Sequence, residues 1–224
     1  MDTSNGVKPI LEIYKEYKIM PNLAEHQLRV AGVAALVCEN LTLAPPLSQR
    51  ERGDVVTACL LHDMGNIIKF DLSQIHNFLN QDVDINYWIR VQEEFKKKYR
   101  NNEHEAHWQI AKEIGVSDRI LELIGCISFK GAAQNAAGQD FGKKIVHYSD
   151  GRVGPKGVVS LEERFADLRN RYRQHGDNTP ERDNFENALR QIEKQIFARS
   201  VISPSDINPA SVSKKIEELK NFII

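Results

Sequence analysis

Apolar positions along the chain recur at intervals of three and four residues, which is the period of one face of an α-helix. The first long stretch of this kind covers residues 22–41. Its stripe consists of Leu23, His26, Val30, Ala34, Val37 and Leu41. Two prolines in "TLAPPLSQ" end the stretch, since proline cannot continue a helix. Strong alternation of apolar and polar positions, which would indicate strands, is missing from the sequence. We therefore predict an all-α fold.

The next helix is predicted to begin at Ser48, because Ser48 and Glu51 have the spacing of a capping box. Its apolar stripe ends on a histidine and consists of Val55, Ala58, Cys59 and His62. Gly65 follows, at a position typical of a helix exit. This pattern places a histidine at the buried end of a helix.

Shorter segments follow, and most of them again have the helical period. We predict helices at 87–100, about 104–114, 117 to about 127, and about 140–150. Residues 66–86 are expected to form a loop with a short helix. The stretch "KGAAQNAAGQD" is small, polar and bounded by glycine, so we predict a loop there as well.

The clearest internal break is "GRVGPKG", and three amphipathic helices are predicted after it. The first has the capping-box pair Ser160 and Glu163. The other two begin at Thr179-Pro180 and Asn208-Pro209, with proline at the first helical position. We predict a helical core domain over residues 1–155 and a C-terminal extension over residues 156–224. The extension is expected to pack on the core or to form a partner surface, and its amphipathic helices are compatible with a homodimer.

Composition restricts the class of protein. The chain has 224 residues, 41% of them hydrophobic, which is enough for a sizeable core. Its 30 basic and 31 acidic residues nearly cancel, so a globally basic nucleic-acid binder is not indicated. The three cysteines form no CxxC pair, which is typical of reduced thiols in a cytoplasmic protein. The first residues are too charged for a signal peptide, and the apolar runs are shorter than the roughly 20 residues of a membrane span. We predict a soluble cytoplasmic protein without a membrane partner.

Two histidines on apolar stripes, His26 and His62, suggest a buried site. A single such histidine is usually a core residue with satisfied hydrogen bonds. Here there are two on neighbouring helices, and Asp63 directly follows the second. A buried carboxylate needs a cation or several hydrogen bonds. Imidazoles and carboxylates that converge are the ligands that a divalent metal prefers.

Three segments carry these residues in order: "AEHQLRVAGVAALV", "LLHDMGN" and "VHYSDGRV". The ordered set of His, His-Asp and a distant Asp resembles the HD-domain superfamily of metal-dependent phosphohydrolases over residues 22–153. The resemblance implies an HD-domain-like helical bundle. It also implies a metal site in which His62 and Asp63 are catalytic and whose ligands are His26, His62, Asp63 and Asp150.

The reaction implied by the resemblance is hydrolysis of a phosphomonoester or phosphodiester by a metal-activated water. The expected substrate is a nucleotide or a related small molecule. Histidine ligands favour Mn²⁺, Fe²⁺, Co²⁺, Ni²⁺ or Zn²⁺ over Mg²⁺. Relatives with two metals have further histidines before the last aspartate, and His104 stands at such a position. "LIGCISFKG" lacks the next one, so we expect one ion.

His104 is instead expected near the substrate, as a catalytic or substrate-binding residue. The simplest alternative is an exposed residue at a helix start, and this alternative is stronger still for His107. Asn66, three residues after Asp63, differs from the lysine of signalling phosphodiesterases and from the glutamate of nucleotide monophosphatases in this superfamily. Neither substrate class therefore transfers to this chain.

Phosphate binding also needs positive charge. Candidates for substrate binding are Arg29, one turn past His26, Lys130 at the predicted loop, and Arg152 just after Asp150. Arg152 is the preferred candidate and is also assigned a catalytic role; its alternative is a solvated loop arginine. The basic run at residues 96–100 is interpreted as a solvated helix face, and the two tryptophans as core residues.

Two other functions stay open at this point. The site could bind a metal or nucleotide without turnover, which would make the protein a regulatory module. The superfamily also includes RNA-linked phosphohydrolases, but the nearly balanced charge argues against a nucleic-acid partner.

Overall fold

Eleven α-helices and one two-stranded sheet form the part of the chain that the computed structural model describes, residues 7–73, 84–172 and 180–224. The helices are α1 (Ile10–Glu16), α2 (Pro21–Asn40), α3 (Gln49–Leu61), α4 (Ile85–Tyr99), α5 (Glu103–Ile114), α6 (Asp118–Gly125), α7 (Gly131–Ala137), α8 (Phe141–Gly151), α9 (Leu161–Tyr172), α10 (Pro180–Phe197) and α11 (Pro209–Leu219). Short 3₁₀ helices lie at Asn66–Lys69 and Pro204–Asp206. The predicted all-α class is confirmed.

Helices α2, α3 and α8 pack on one another at the centre of the molecule. α2 begins at Pro21, in agreement with the preference of proline for a first turn. The predicted capping box starts α3: Ser48 Oγ accepts from the Glu51 amide at 3.2 Å, and the Glu51 carboxylate accepts from the Ser48 amide at 2.8 Å. The second half of α3, from Val55 to Leu61, is buried. The residues that follow α3 are therefore held against the core.

The C-terminal helices pack on this centre. α10 lies against α7 and α8, and α11 lies along α2. Gly32 permits the second contact, because a Cβ atom there would come within 2.8 Å of Val212 Cγ1. Between α8 and α9, strands β1 (Val153–Gly154) and β2 (Gly157–Val158) form a short antiparallel hairpin. The Ser160–Glu163 capping box is present before α9.

One predicted loop is wrong. Within "KGAAQNAAGQD", residues Gly131–Ala137 form α7. Alanine is the best helix former, and two of its alanines, Ala132 and Ala136, are buried. Small side chains let this helix approach its neighbours closely, and α10 packs against it. Helix α1 was also not predicted.

Other predictions have different outcomes. The short helix expected within residues 66–86 corresponds to Asn66–Lys69, while residues 74–83 lie outside the described residues. Thr179 and the side chain of Tyr172 lie outside them too. Trp88 is buried as expected, but Trp108 is 43% exposed and lies beneath the Lys112 ammonium at 4.5 Å. None of the described helices is long and apolar enough to cross a bilayer.

Candidate metal centre

The C-terminal ends of α3 and α8 meet the second turn of α2, and this junction brings the predicted ligands together. His26 Nε2 lies 3.2 Å from Asp150 Oδ1, and His62 Nε2 lies 3.5 Å from the same oxygen. Ligand atoms of all three residues lie within 4.8 Å of one another. Such a spacing suits three ligands on one ion.

Asp63 approaches the same two imidazoles. Its Oδ2 lies 3.6 Å from His26 Nε2 and 3.7 Å from His62 Nε2. It is not part of the group of three that share the 4.8 Å limit. Nε2 of each imidazole is therefore within 4 Å of an oxygen of each carboxylate. His26, Asp63 and Asp150 keep partly exposed side chains, so a solute can reach the cluster from solvent.

His62 is oriented for a ligand. Its Nδ1 is 2.8 Å from the carbonyl oxygen of Cys59, one turn earlier in α3. A carbonyl can only accept, so Nδ1 carries the proton, and in the neutral ring Nε2 has the lone pair. The side chain is 3% exposed, and within the described structure Nε2 has no hydrogen-bond partner. An orphaned buried nitrogen of this kind fits coordination to a metal.

The electrostatics of the cluster also fit a cation. Burial alone would lower the pKa of His62, but the carboxylates of Asp63 and Asp150 raise it to about 9. Burial would raise the pKa of both aspartates, yet the imidazoles hold the pKa of Asp63 below its ordinary value and that of Asp150 well below it. The two carboxylates therefore favour a second proton on the His62 ring, at Nε2. A divalent metal can replace that proton, since metal binding requires deprotonated ligands.

Gln27 supports Asp63 from α2. Its Oε1 accepts a hydrogen bond from the Asp63 amide at 3.2 Å, and its Nε2 lies 3.9 Å from Met64 Sδ. The side chain is fully buried. Because Gln27 is next to His26 in sequence, the same turn of α2 provides a ligand and fixes the backbone of another. No sequence signal distinguished this glutamine.

Gly65 brings α5 to the cluster. A Cβ atom at this position would lie 2.5 Å from Ala106 Cβ and 2.7 Å from His107 Cδ2, so a larger residue does not fit without a shift. The sequence predicted a helix exit at Gly65, but α3 already ends at Leu61, and Gly65 instead permits this close approach. The result is that α5 meets the turn that follows His62 and Asp63.

His107, rather than His104, is the histidine of α5 that faces inward. His107 is buried and its Nε2 has no partner among the described residues, while the side chain of His104 is 73% exposed. Burial lowers the pKa of His107 to about 4, although the nearby Asp63 charge opposes this change. His107 is therefore neutral at pH 7. The stripe contained both histidines, and the family resemblance assigned the larger role to His104.

Asn66 adds a third unpartnered atom. It is buried, and its Oδ1 has no hydrogen-bond partner in the described part of the chain. Its amide donates to the Asp63 carbonyl at 3.0 Å, which holds it next to the cluster. An unpaired buried polar atom costs roughly 1–3 kcal/mol. Such atoms on His62, Asn66 and His107 together indicate a site that is completed by a ligand.

The predicted phosphate-binding residues are dispersed. Arg29 is paired with Glu25 at 2.8 Å on the surface of α2. Lys130 borders a surface pocket of about 350 Å³ that also involves Lys143, in the first turn of α8. Asp150 is in the last turn of that helix, roughly 10 Å further along its axis. The pocket at Lys130 thus lies towards the other end of α8 from the cluster.

Arg152 is 3% exposed, and its guanidinium donates hydrogen bonds inside the fold. A phosphate could reach it only after those bonds break. The catalytic and substrate-binding roles predicted for Arg152 do not fit this geometry.

Lys69 is a cation near the cluster that the sequence did not single out. It ends the 3₁₀ helix that follows the HD pair, and its side chain is 49% exposed. Its Nζ lies 3.9 Å from Glu103 Oε1, a weak pairing. Glu103 lies beside the turn that follows the HD pair, since a Cβ atom at Gly65 would be 2.9 Å from the Glu103 carbonyl oxygen. Lys69 therefore lies on the side of the cluster where α5 approaches it.

Comparison with known proteins identifies the family of this chain. The family model for the HD domain matches residues 23–150, which is more than half of the chain and includes all four predicted ligands. No curated protein and no solved structure matches the chain. The chain belongs to the HD domain family, whose members are generally metal-dependent phosphohydrolases.

Proposed function

We propose that this protein is a metal-dependent phosphohydrolase that cleaves a phosphomonoester or phosphodiester of a nucleotide or a related small molecule. The observation that carries the proposal is the convergence of His26, His62 and Asp150 within 4.8 Å, inside a matched HD domain. The unpartnered and buried Nε2 of His62 supports the same conclusion.

One ion is proposed, held by His26, His62, Asp63 and Asp150. Two imidazoles and two carboxylates favour Mn²⁺, Fe²⁺, Co²⁺, Ni²⁺ or Zn²⁺ over Mg²⁺. When bound, such an ion polarises a phosphoryl oxygen and activates water for attack at neutral pH.

The chain's own residues prepare the site in several ways. The lowered pKa values of Asp63 and Asp150 keep both carboxylates ionised at neutral pH. The lowered pKa of His107 keeps its buried ring neutral, so that Nε2 can form a hydrogen bond to a substrate oxygen or a water molecule. Asn66 offers an acceptor at Oδ1 but no titratable group.

Positive charge at the rim is proposed to hold the phosphate. Lys69 is half exposed and only weakly paired, so its ammonium is available. His104 is exposed on the same side, with its ring 5.9 Å from that of His107 and its Nε2 3.9 Å from Glu103 Oε1. Lys69 would neutralise charge on a bound phosphoester, and the His104 ring would form a hydrogen bond to it. Arg29 and Lys130 would contribute less, because Arg29 is paired and Lys130 lies towards the other end of α8.

The test is a hydrolysis assay on metal-stripped protein with a panel of nucleotides. Phosphate or nucleoside release is measured after addition of Mn²⁺, Co²⁺, Ni²⁺ or Mg²⁺. We expect turnover of one substrate class that depends on a transition metal and disappears in Asp63→Ala. Wild-type metal content and hydrolysis in Asp63→Ala would contradict the proposal.

A second candidate is a regulatory module that binds a metal or nucleotide without turnover. Asn66 favours it, because this residue cannot donate or accept a proton in catalysis. Tight nucleotide binding without product in the same panel would support this alternative. A gel shift with RNA that weakens steeply as salt rises would instead favour an RNA-linked substrate.

A further inference from the structure

Arg152 lies at the point where the core helices meet the C-terminal extension. It caps the C-terminus of α8, two residues beyond Asp150. Its backbone amide closes the last turn of α8 by donating to the carbonyls of Tyr148 at 3.0 Å and Ser149 at 3.2 Å. The residue therefore belongs to the same helical turn as a proposed metal ligand.

The guanidinium of Arg152 donates hydrogen bonds to several segments of the chain. It donates to the hydroxyl of Tyr148 on α8 and to the carbonyl of Val159 just after β2. It also donates to the carbonyls of Pro204 at 3.2 Å and Ile207 at 2.7 Å, in the segment that leads into α11. These contacts tie the end of α8 to residues about 50 positions later in the chain.

A carboxylate of α10 completes this arrangement. Glu193 Oε2 accepts a hydrogen bond from the Tyr148 hydroxyl at 3.0 Å and lies 3.8 Å from Arg152 Nη1. A buried charge is tolerated when it is paired and hydrogen-bonded. The planar fork of an arginine can serve several acceptors at fixed angles, whereas the ammonium of a lysine is a compact point charge. A lysine at this position could therefore not donate to all of these acceptors.

Packing holds the same turn from another side. A Cβ atom at Gly151 would lie 3.1 Å from Leu189 Cδ1 and 3.3 Å from Leu161 Cδ2, so α9 and α10 press against the backbone between Asp150 and Arg152. Helix ends ordinarily fray. Here the last turn of α8 is fixed by side-chain hydrogen bonds and by apolar contacts, and both come from the C-terminal extension.

We propose that Arg152 is a positioning residue that fixes Asp150 for metal binding by clamping the end of α8 to the C-terminal extension. This inference rests on the proposed metal centre and adds residues 156–224 to its support. In this positioning role, Arg152 binds neither the metal nor the substrate. It acts through the backbone of α8, which sets the position of Asp150 Oδ1 opposite His26 and His62.

The test measures Co²⁺ binding by wild type, Arg152→Lys and Arg152→Met, with dissociation constants from chelator competition and with the visible absorption spectrum of bound Co²⁺. We expect Kd to rise about ten-fold, as when outer partners of metal ligands are removed. The spectrum should also change, because Asp150 is no longer held in place. Lysine should restore little, since it cannot serve the same acceptors.

Milder variants keep the test valid if the arginine variants do not fold. Tyr148→Phe and Glu193→Gln loosen the clamp without removing the guanidinium and should raise Kd by a few-fold. Ser200→Ala is the matched control: it removes another bond from the extension, to the Asn40 carbonyl at 3.1 Å, at the far end of α2 from His26. It should leave Kd and spectrum unchanged.

The possible outcomes separate this inference from the proposed function. The clamp is refuted if folded Arg152 variants keep the wild-type Kd and spectrum. If the arginine variants do not fold, the same result in Tyr148→Phe and Glu193→Gln refutes it. An equal effect of Ser200→Ala overturns it as well, because general destabilisation would then explain the result. Co²⁺ binding by wild type without hydrolysis of any substrate would refute the phosphohydrolase and leave the clamp standing. Failure of wild type to bind Co²⁺ refutes both.

Discussion

The two ends of α8 carry the same kinds of charged side chains but use them differently. At the first turn, Asp140 accepts from Arg119 at 2.7 Å, and Lys143 pairs with Glu122 on the protein surface. At the last turn, Asp150 faces two imidazoles, and His62 Nε2 beside it has no hydrogen-bond partner among the described residues. The paired charges at the first turn stabilise the fold. The buried polar atom without a hydrogen-bond partner at the last turn indicates a ligand site.

The sharpest test of this contrast is one substitution made at both ends of the helix. Asp150→Asn should abolish metal binding and lower kcat/KM on the order of a thousand-fold, because a metal supplies several kcal/mol of transition-state stabilisation. Asp140→Asn keeps the helix cap and removes only a partly exposed ion pair, so it should change kcat/KM less than two-fold. Metal content and steady-state kinetics measure both. Equal losses in the two variants would show that the two ends do not differ.

His147 tests the middle of α8 through pH. It is buried, and its Nδ1 lies 2.9 Å from Asn135 Nδ2, an amide nitrogen that can only donate. Burial lowers the pKa of His147 to about 4. The pKa of a histidine in the unfolded chain is about 6.5. At a pH between these two pKa values, His147 binds a proton in the unfolded chain but not in the folded chain, so the free energy of unfolding falls as pH falls.

The expected contribution of His147 is about 2 kcal/mol lost between pH 7.5 and pH 5. Urea unfolding at the two pH values should show that His147→Gln, which can still accept from Asn135, loses less stability on acidification than wild type. His107, with a similarly lowered pKa, should keep part of the pH dependence in the variant. The same loss in both proteins would mean that His147 is charged in the folded state.

His107 and His104 extend the comparison to α5, where a buried and an exposed histidine lie one turn apart. We expect His107→Ala to lower kcat/KM by about ten- to a hundred-fold, because a hydrogen bond in the site is lost. His104→Ala should raise KM a few-fold with kcat unchanged, as expected for rim binding. Steady-state kinetics on the same substrate separates the two. The reverse order would return the larger role to His104, as the sequence suggested.

The features that could be predicted from sequence are those encoded locally. Caps such as Ser48 with Glu51, and stripes with a period of three and four, depend on residues within one or two turns, so most of the helices were predicted correctly. The ordered set of His26, His62, Asp63 and Asp150 was recognisable because its three segments, with His62 and Asp63 sharing one, each contain a regular helical stripe.

The features that could not be predicted depend on distant segments. Arg152 is buried because acceptors about 50 residues later surround it. Which of two histidines on α5 faces inward is decided by the close approach at Gly65, a contact between separate helices. Gln27 lies on the buried face of α2, where its type alone does not indicate that it holds the Asp63 amide.

The smallest expected effect concerns two lysines, Lys69 after the HD pair and Lys143 in the first turn of α8. Lys69 is close to the cluster and weakly paired, whereas Lys143 is paired with Glu122 at the first turn. Lys69→Met should raise KM for a phosphoester about five-fold, which is about 1 kcal/mol, because an ion pair that is exposed to solvent contributes no more than this. Lys143→Met should leave KM unchanged. Because a phosphate contact through an exposed lysine is screened by salt, the effect of Lys69→Met should shrink between 50 mM and 500 mM salt. A KM that rises equally in both variants would place the phosphate away from the last turn of α8.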